Sequence, residues 1–142
     1  MFIFEKKTKQ MDKRWKKSKT SVYNLSYHII WTPKYRRSVL IDGVDLELKR
    51  LIREKAKSHN WEVKSLEVMP DHVHLFISVS PLDAPHYIVQ QMKGYTSKLL
   101  RDKFPKLKSR LPTLWTRSYY VESVGHISEE TIKKYIDEQK NK

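Results

Sequence analysis

The sequence predicts an α+β domain in the order βαββαβ: a ferredoxin-like (RRM-like) antiparallel sheet with both helices on one face, followed by a C-terminal helix that carries Tyr135. Three observations lead there. Short segments bounded by turn residues alternate apolar and polar side chains with a period of two, the mark of half-buried strands. Two stretches between them instead repeat apolar residues three and four apart, the spacing of one helix face. Finally, 142 residues without a cysteine suit a single domain whose core holds together without disulfides or thiolate metal sites.

The elements follow in order. Residues 1–20 lack core-forming spacing and are expected to be a basic flexible arm; residues 21–142 form the domain. Tyr23, Leu25, Tyr27, Ile29 and Trp31 alternate with Asn24, Ser26, His28 and Ile30, giving a first strand that TPKYRR (32–37) ends with a proline and a basic cluster. After Asp42-Gly43, the spacing of Val44, Leu48, Leu51, Ile52 and Ala56 predicts a helix to about residue 58. A second strand covers 61–69, and Pro70-Asp71 turns the chain into a third at 72–79. In that strand Val73, Leu75, Ile77 and Val79 form the core side and His72, His74, Phe76 and Ser78 the other. Asp83 and Pro85 open a long helix with Ile88, Met92, Tyr95 and Leu99, ending near Phe104-Pro105. Residues 106–116 read as a basic loop and 118–123 as the fourth strand. The last helix follows Gly125, with Ser128 as cap, Glu129 and Glu130 on the favourable end of its dipole, and Ile127 with Ile132 as a hydrophobic staple.

Charge narrows the partner. The chain carries 29 Lys and Arg against 16 Asp and Glu, a formal net charge of +13. Residues 1–20 hold eight basic side chains and two acids, yet the remaining residues are still basic on their own, with 21 against 14. A polyanion, nucleic acid above all, is the expected partner, because each Lys or Arg that neutralises a phosphate releases a condensed counterion. A membrane surface is not expected, since the arm shows no apolar face opposite its lysines. No apolar run approaches the ~20 residues of a membrane-spanning helix, and MFIFEKK lacks the order of a signal peptide. A soluble, cytoplasmic protein is therefore expected.

Two places could carry chemistry. His72 and His74, two apart on one strand, project side by side where two imidazoles can grip a divalent ion; an isolated H-x-H equally suits a pair of surface histidines beside a turn. Tyr135 and Gln139, four apart, share one helix face. A phenol there could attack a phosphodiester while the amide oxygen completes a metal shell, or Tyr135 could simply pack with Ile132 and Ile136 in an apolar stripe.

YHIIWTPKYRR (27–37), MPDHVHLFISV (69–79), SYYVESVG (118–125) and SEETIKKYIDEQ (128–139), in that order, resemble the single-tyrosine transposases of the IS200/IS605 insertion sequences, members of the histidine-hydrophobic-histidine (HUH) endonucleases. The resemblance runs from about residue 23 to 139. It implies that His72 and His74 are paired metal ligands, Tyr135 the nucleophile and Gln139 the third protein ligand. It implies as well a DNA transposase that cleaves and rejoins single-stranded DNA, recognises hairpins near the element ends, and forms a homodimer in which one subunit's tyrosine helix can complete the other's histidine site. Two features depart from the pattern: a longer basic arm, and His126 where an asparagine is expected.

Attack by Tyr135 would leave a 5'-phosphotyrosine and a free 3'-hydroxyl, keeping the bond energy for rejoining. Two nitrogens and an amide oxygen would by ligand type suit manganese or zinc; the resemblance implies Mg2+ or Mn2+. Lys34, Arg36, Arg37, Lys93, Lys98 and the arm are candidate backbone contacts, and Tyr35 and Trp115 candidate stacking platforms for bases. Two other readings stand beside the transposase: a non-catalytic single-stranded nucleic-acid-binding module, which would put stacking aromatics on the open sheet face, and a metal-dependent phosphodiesterase that uses water and needs no tyrosine.

Overall fold

A computed structural model describes residues 16–17, 22–23, 25–124, 134 and 136–139. A short antiparallel ribbon pairs β1 (Lys16–Lys17) with β2 (Val22–Tyr23). Lys16 and Lys17, within the segment expected to be a basic flexible arm, form β1; residues 1–15 and 18–20 of that expectation lie outside the described residues. The main sheet contains β3 (Leu25–Trp31), β4 (Glu62–Met69), β5 (His72–Val79) and β6 (Tyr120–Val124), all neighbours antiparallel, in the order β4-β5-β3-β6. Helix α1 (Val44–Ser58) connects β3 to β4, and α2 (Pro85–Lys103) lies between β5 and β6. The chain order is therefore βαββαβ, with each of the two helices crossing over one face of the sheet.

Strand alternation builds the two faces. Ile29 and Trp31 of β3, Leu66 and Val68 of β4, and Val73, Leu75, Ile77 and Val79 of β5 join Leu48, Leu51, Ile52 and Ala56 of α1 and Ile88, Val89, Met92 and Leu100 of α2 in one core. Each fully buried aliphatic side chain of this kind contributes roughly 1.5–3 kcal/mol. Gly43, at φ 96°, takes the left-handed conformation that turns the chain into α1. Pro85 occupies the first turn of α2, where a missing N–H costs nothing. Asp83, expected to open that helix, instead accepts a hydrogen bond on Oδ2 from Trp61 Nε1–H at 2.9 Å.

Three boundaries differ from expectation. The first strand of the main sheet begins at Leu25 rather than Tyr23, which pairs with Lys16 in the short ribbon. The segment read as a basic loop begins with a short helix, α3 (Pro105–Arg110), because Leu107, Leu111 and Leu114 are buried in the core while the intervening lysines and arginine face water. The last strand starts at Tyr120 rather than Ser118, since Lys93 ties the carbonyls of Thr116 and Ser118 into a loop ahead of it.

The opposite sheet face carries a second, smaller apolar cluster of Phe76, Val124 and Ile136. Residues 136–139 are helical, so this part of the C-terminal segment is seated on the face away from α1 and α2. The expected cap at Ser128, the staple of Ile127 and Ile132, His126 and Tyr135 lie outside the described residues. No helix among the described residues is long and apolar enough to cross a membrane.

Candidate active site

The face opposite the core is assembled row by row from strand register. Ile30 pairs with His74 on one side and Tyr120 on the other; His28 pairs with Phe76 and Glu122 in the same way; Ser26 pairs with Ser78 and Val124. Beyond β5, Glu67 stands opposite His74 and Met69 opposite His72. Alternation along β5 brings His72 and His74 to this face together, with ring centres 4.6 Å apart and planes at 78°.

Both histidines have their Nδ1 atoms held by the protein. Asp71 Oδ1 lies 2.6 Å from His72 Nδ1, and His74 Nδ1 lies 3.5 Å from Nε2 of His28. When Nδ1 of a histidine is the donor, its Nε2 keeps the lone pair that a metal requires. His74 is buried, 3% exposed, and its pKa is pushed down to about 4 by burial, helped by its two neighbouring histidines. The ring is thus neutral at physiological pH, the state in which imidazole ligates a cation. The donor type suits a divalent ion, since two imidazoles stand side by side on the face with ring centres 4.6 Å apart, but among the described residues no three His, Cys, Asp or Glu side chains form a complete cage. A further oxygen donor is needed, the part expected of Gln139, which is helical and half-buried.

The sequence expectation placed both histidines on an open surface. His72 is only half-buried, whereas His74 and His28 are 3% and 4% exposed, so the deeper half of the site is closed over. His28, Asp71 and Glu122 were not anticipated as site residues. Burial lowers the His28 pKa, outweighing the opposing pull of the Glu122 hydrogen bond and charge. Asp71 is held below the usual carboxylate range: burial works against it, but the His72 hydrogen bond and the charges of His72 and Arg36 prevail. The alternation of β3 puts His28 on the polar side, yet its neighbours could not be known without the sheet order.

The TPKYRR segment reaches the same rim. Residues Lys34–Arg36 form a single 3-10 turn in which Tyr35 (φ 59°) and Arg36 (φ 50°) both take left-handed backbone conformations, a strain of order 1–3 kcal/mol each that must be held by its surroundings. Lys34 N–H is tied to the Leu114 carbonyl, and Arg36 Nε donates to Asp71 Oδ2 at 3.1 Å. One carboxylate therefore links Arg36 to His72. Tyr35 is 65% exposed with Lys34 Nζ 5.4 Å from its ring centre, and Arg37 and Lys98 are also exposed. Tyr35, Arg37 and Lys98 are open to an outside ligand, with half-buried Lys34 and the Asp71-bound Arg36 beside Tyr35.

Two expected contacts are not. Trp115 is buried, 6% exposed, edge-on to Trp31 at 6.0 Å with its indole N–H on Thr96 Oγ1 at 3.1 Å, so it belongs to the core and is no stacking platform. The Lys93 ammonium donates to the carbonyls of Thr116 and Ser118 at 2.7 and 2.9 Å, and burial pushes its pKa down to about 8; it braces the loop before β6.

Sequence and structure comparisons place the chain among known proteins. The family described as "Transposase IS200 like" matches residues 21–139. The ISDra2 transposase TnpA of Deinococcus radiodurans is 40% identical over 129 residues, which cover 89% of this chain and 92% of that protein. The transposase for insertion sequence element IS200 of Salmonella typhimurium is 28% identical over 123 residues, 83% of this chain and 81% of its own. A crystal structure of a candidate transposase from Deinococcus radiodurans R1 superposes with a TM-score of 0.72 at 38% identity, covering 87% of this chain and 97% of the other. A REP-associated tyrosine transposase bound to a REP hairpin shares the fold, with a TM-score of 0.61 at 15% identity, covering 85% and 69%. With the family match running through the strand that bears His72 and His74 and on to Gln139, the chain belongs to the IS200/IS605 family of single-tyrosine transposases, enzymes that act on DNA.

Proposed function

We propose that this transposase cleaves and rejoins single-stranded DNA by transesterification through Tyr135, assisted by a divalent cation. The observation that carries the reading is the meeting, on one sheet face, of the His72–His74 pair with the C-terminal helical segment through Ile136, Phe76 and Val124. His72, His74 and Gln139 would hold Mg2+ or Mn2+, which when bound polarises the scissile phosphate. The phenolic oxygen of Tyr135 forms the new bond to phosphorus, its proton passing to a base or solvent; the bond to the 3' oxygen breaks, and that oxygen leaves as a 3'-hydroxyl after taking up a proton. The 5'-phosphotyrosine is later released by the reverse attack of a 3'-hydroxyl, so no hydrolysis is needed.

Exposed Tyr35, Arg36, Arg37 and Lys98, with half-buried Lys34, support contact with a flexible strand, the cations on phosphates and Tyr35 stacking on a base. Hairpins at element ends are the proposed recognition feature, in keeping with the hairpin bound by the REP-associated relative. A homodimer is proposed too. The Ile136 seat is made here within one chain, and exchange of the helix between subunits would form the same contact across the dimer. Tyr135→Phe, assayed on a single-stranded hairpin oligonucleotide with Mn2+, should bind as wild type and not cleave. Retained cleavage would mean that water is the nucleophile and favour a phosphodiesterase.

A further inference from the structure

We propose that His28 and Glu122 form a relay that orients His74 as a metal ligand, with Tyr120 fixing the carboxylate. The inference rests on the metal reading above and adds two positioning residues to it. Three adjacent strands contribute one member or more each: His74 from β5, His28 from β3, and Glu122 with Tyr120 from β6.

The geometry has one consistent pattern of protons. Tyr120 donates its hydroxyl to Glu122 Oε2 at 2.8 Å, leaving Oε1 3.5 Å from His28 Nδ1, a charge contact in which this buried nitrogen makes no hydrogen bond among the described residues. With its proton on Nδ1, His28 presents a lone pair at Nε2, and this atom lies 3.5 Å from His74 Nδ1. His74 then donates from Nδ1 and keeps the Nε2 lone pair for a cation. The two rings are 11° from parallel with centres 5.7 Å apart. That separation is the N···N distance extended by the two ring half-widths, so the rings lie edge to edge in a common plane, the arrangement of an in-plane hydrogen bond rather than of stacked faces. The 3.5 Å His28–His74 separation is at the long end for a hydrogen bond, and active-site hydrogen bonds of this length tighten when ligand binds.

A packing role alone does not explain the arrangement. His28 is 4% exposed and directly opposite Phe76, where an apolar side chain would avoid the cost of burying two ring nitrogens. Its partner His72 has a separate carboxylate, Asp71, at its own Nδ1. Each ligand histidine thus has its own outer acceptor: a carboxylate directly for His72, a carboxylate through a second imidazole for His74. Such outer partners fix the tautomer and ring angle of a ligand, and their loss weakens metal binding by about 10–100-fold.

The test uses full-length protein and Mn2+ alone, with binding read from the loss of the free-ion electron paramagnetic resonance signal and ring ligation from nitrogen modulation in pulsed spectra. Glu122→Gln removes the charge at the sheet edge with little change of shape, and His28→Gln keeps a polar group at the buried position. Both should weaken Mn2+ binding by about 10-fold or more and reduce the nitrogen signal toward a single histidine, with thermal unfolding close to wild type. Tyr120→Phe should show the same effect in smaller measure. Wild-type binding retained in Glu122→Gln and His28→Gln overturns the relay alone. Binding lost only in proportion to unfolding overturns it as well, in favour of packing. Wild-type protein that binds no Mn2+, or a His72→Ala/His74→Ala variant that binds it equally, overturns the metal reading and the relay with it.

Discussion

Replacing Ile136 by alanine isolates the docking of the C-terminal helix from the stability of the domain. Ile136 is 1% exposed, and among the described residues its cluster joins it to Phe76 and Val124, separate from the main core. Truncating a buried isoleucine costs about 2–5 kcal/mol, and the lower part of that range applies where a surface segment can shift to fill the space. At about 1.4 kcal/mol per tenfold, a loss of about 2–3 kcal/mol shifts docking by roughly 30–150-fold. A helix of this length has little stability of its own, so undocking leaves it frayed. Single-turnover cleavage of a saturating hairpin oligonucleotide should fall by up to that factor, while DNA affinity holds and the melting temperature changes by a few degrees at most. Full activity in Ile136→Ala, or a loss explained entirely by unfolding, would refute the idea that this contact seats the tyrosine helix.

Two further outcomes follow from the same face. Burial holds His74 neutral, with its pKa near 4 in the folded protein against about 6.5 when unfolded, so between those values only the unfolded chain takes up the proton. Stability of metal-free protein should therefore rise with pH from about 4 to 6.5 and level off above, by up to about 3 kcal/mol from this residue; chemical denaturation of wild type and His74→Gln across that range isolates it, and parallel curves would contradict the burial argument. If the tyrosine helix is exchanged, His72→Ala/His74→Ala protein co-expressed with Tyr135→Phe protein should regain cleavage, since one site of each heterodimer then has wild-type histidines and tyrosine; verified heterodimers without activity would assign the site to a single chain.

What could be read from the sequence was local. The alternation in β3 and β5 and the spacing in α1 and α2 are set by side chains a few residues apart; β5, α1 and α2 lie where those patterns put them, while β3 begins at Leu25 and leaves Tyr23 to the short ribbon. The pairing of His72 with His74 needs only the period of one strand. His28 and Glu122 were out of reach because they meet His74 through strand order: 46 residues separate His28 from His74, and β6 reaches the site only by pairing with β3. Trp115 shows the opposite failure. Its place in a segment read as a basic loop suggested a surface, but the bridge between Pro33 and Trp115, with Thr116 N–H on the Thr32 carbonyl, holds that segment against β3's end while the indole N–H bonds Thr96 in the core. Lys93 likewise looks like any helix-surface cation until its two carbonyl partners are known.

The central claim, attack by a tyrosine rather than by water, is tested most directly by trapping its product. A single-stranded hairpin oligonucleotide labelled on the 3' side of its cleavage site, incubated with wild-type protein and Mn2+, should yield a covalent complex stable to denaturant, with the added nucleotide mass on the peptide containing Tyr135. Cleavage with no protein-linked strand, or a linked strand that persists in Tyr135→Phe, would contradict the account.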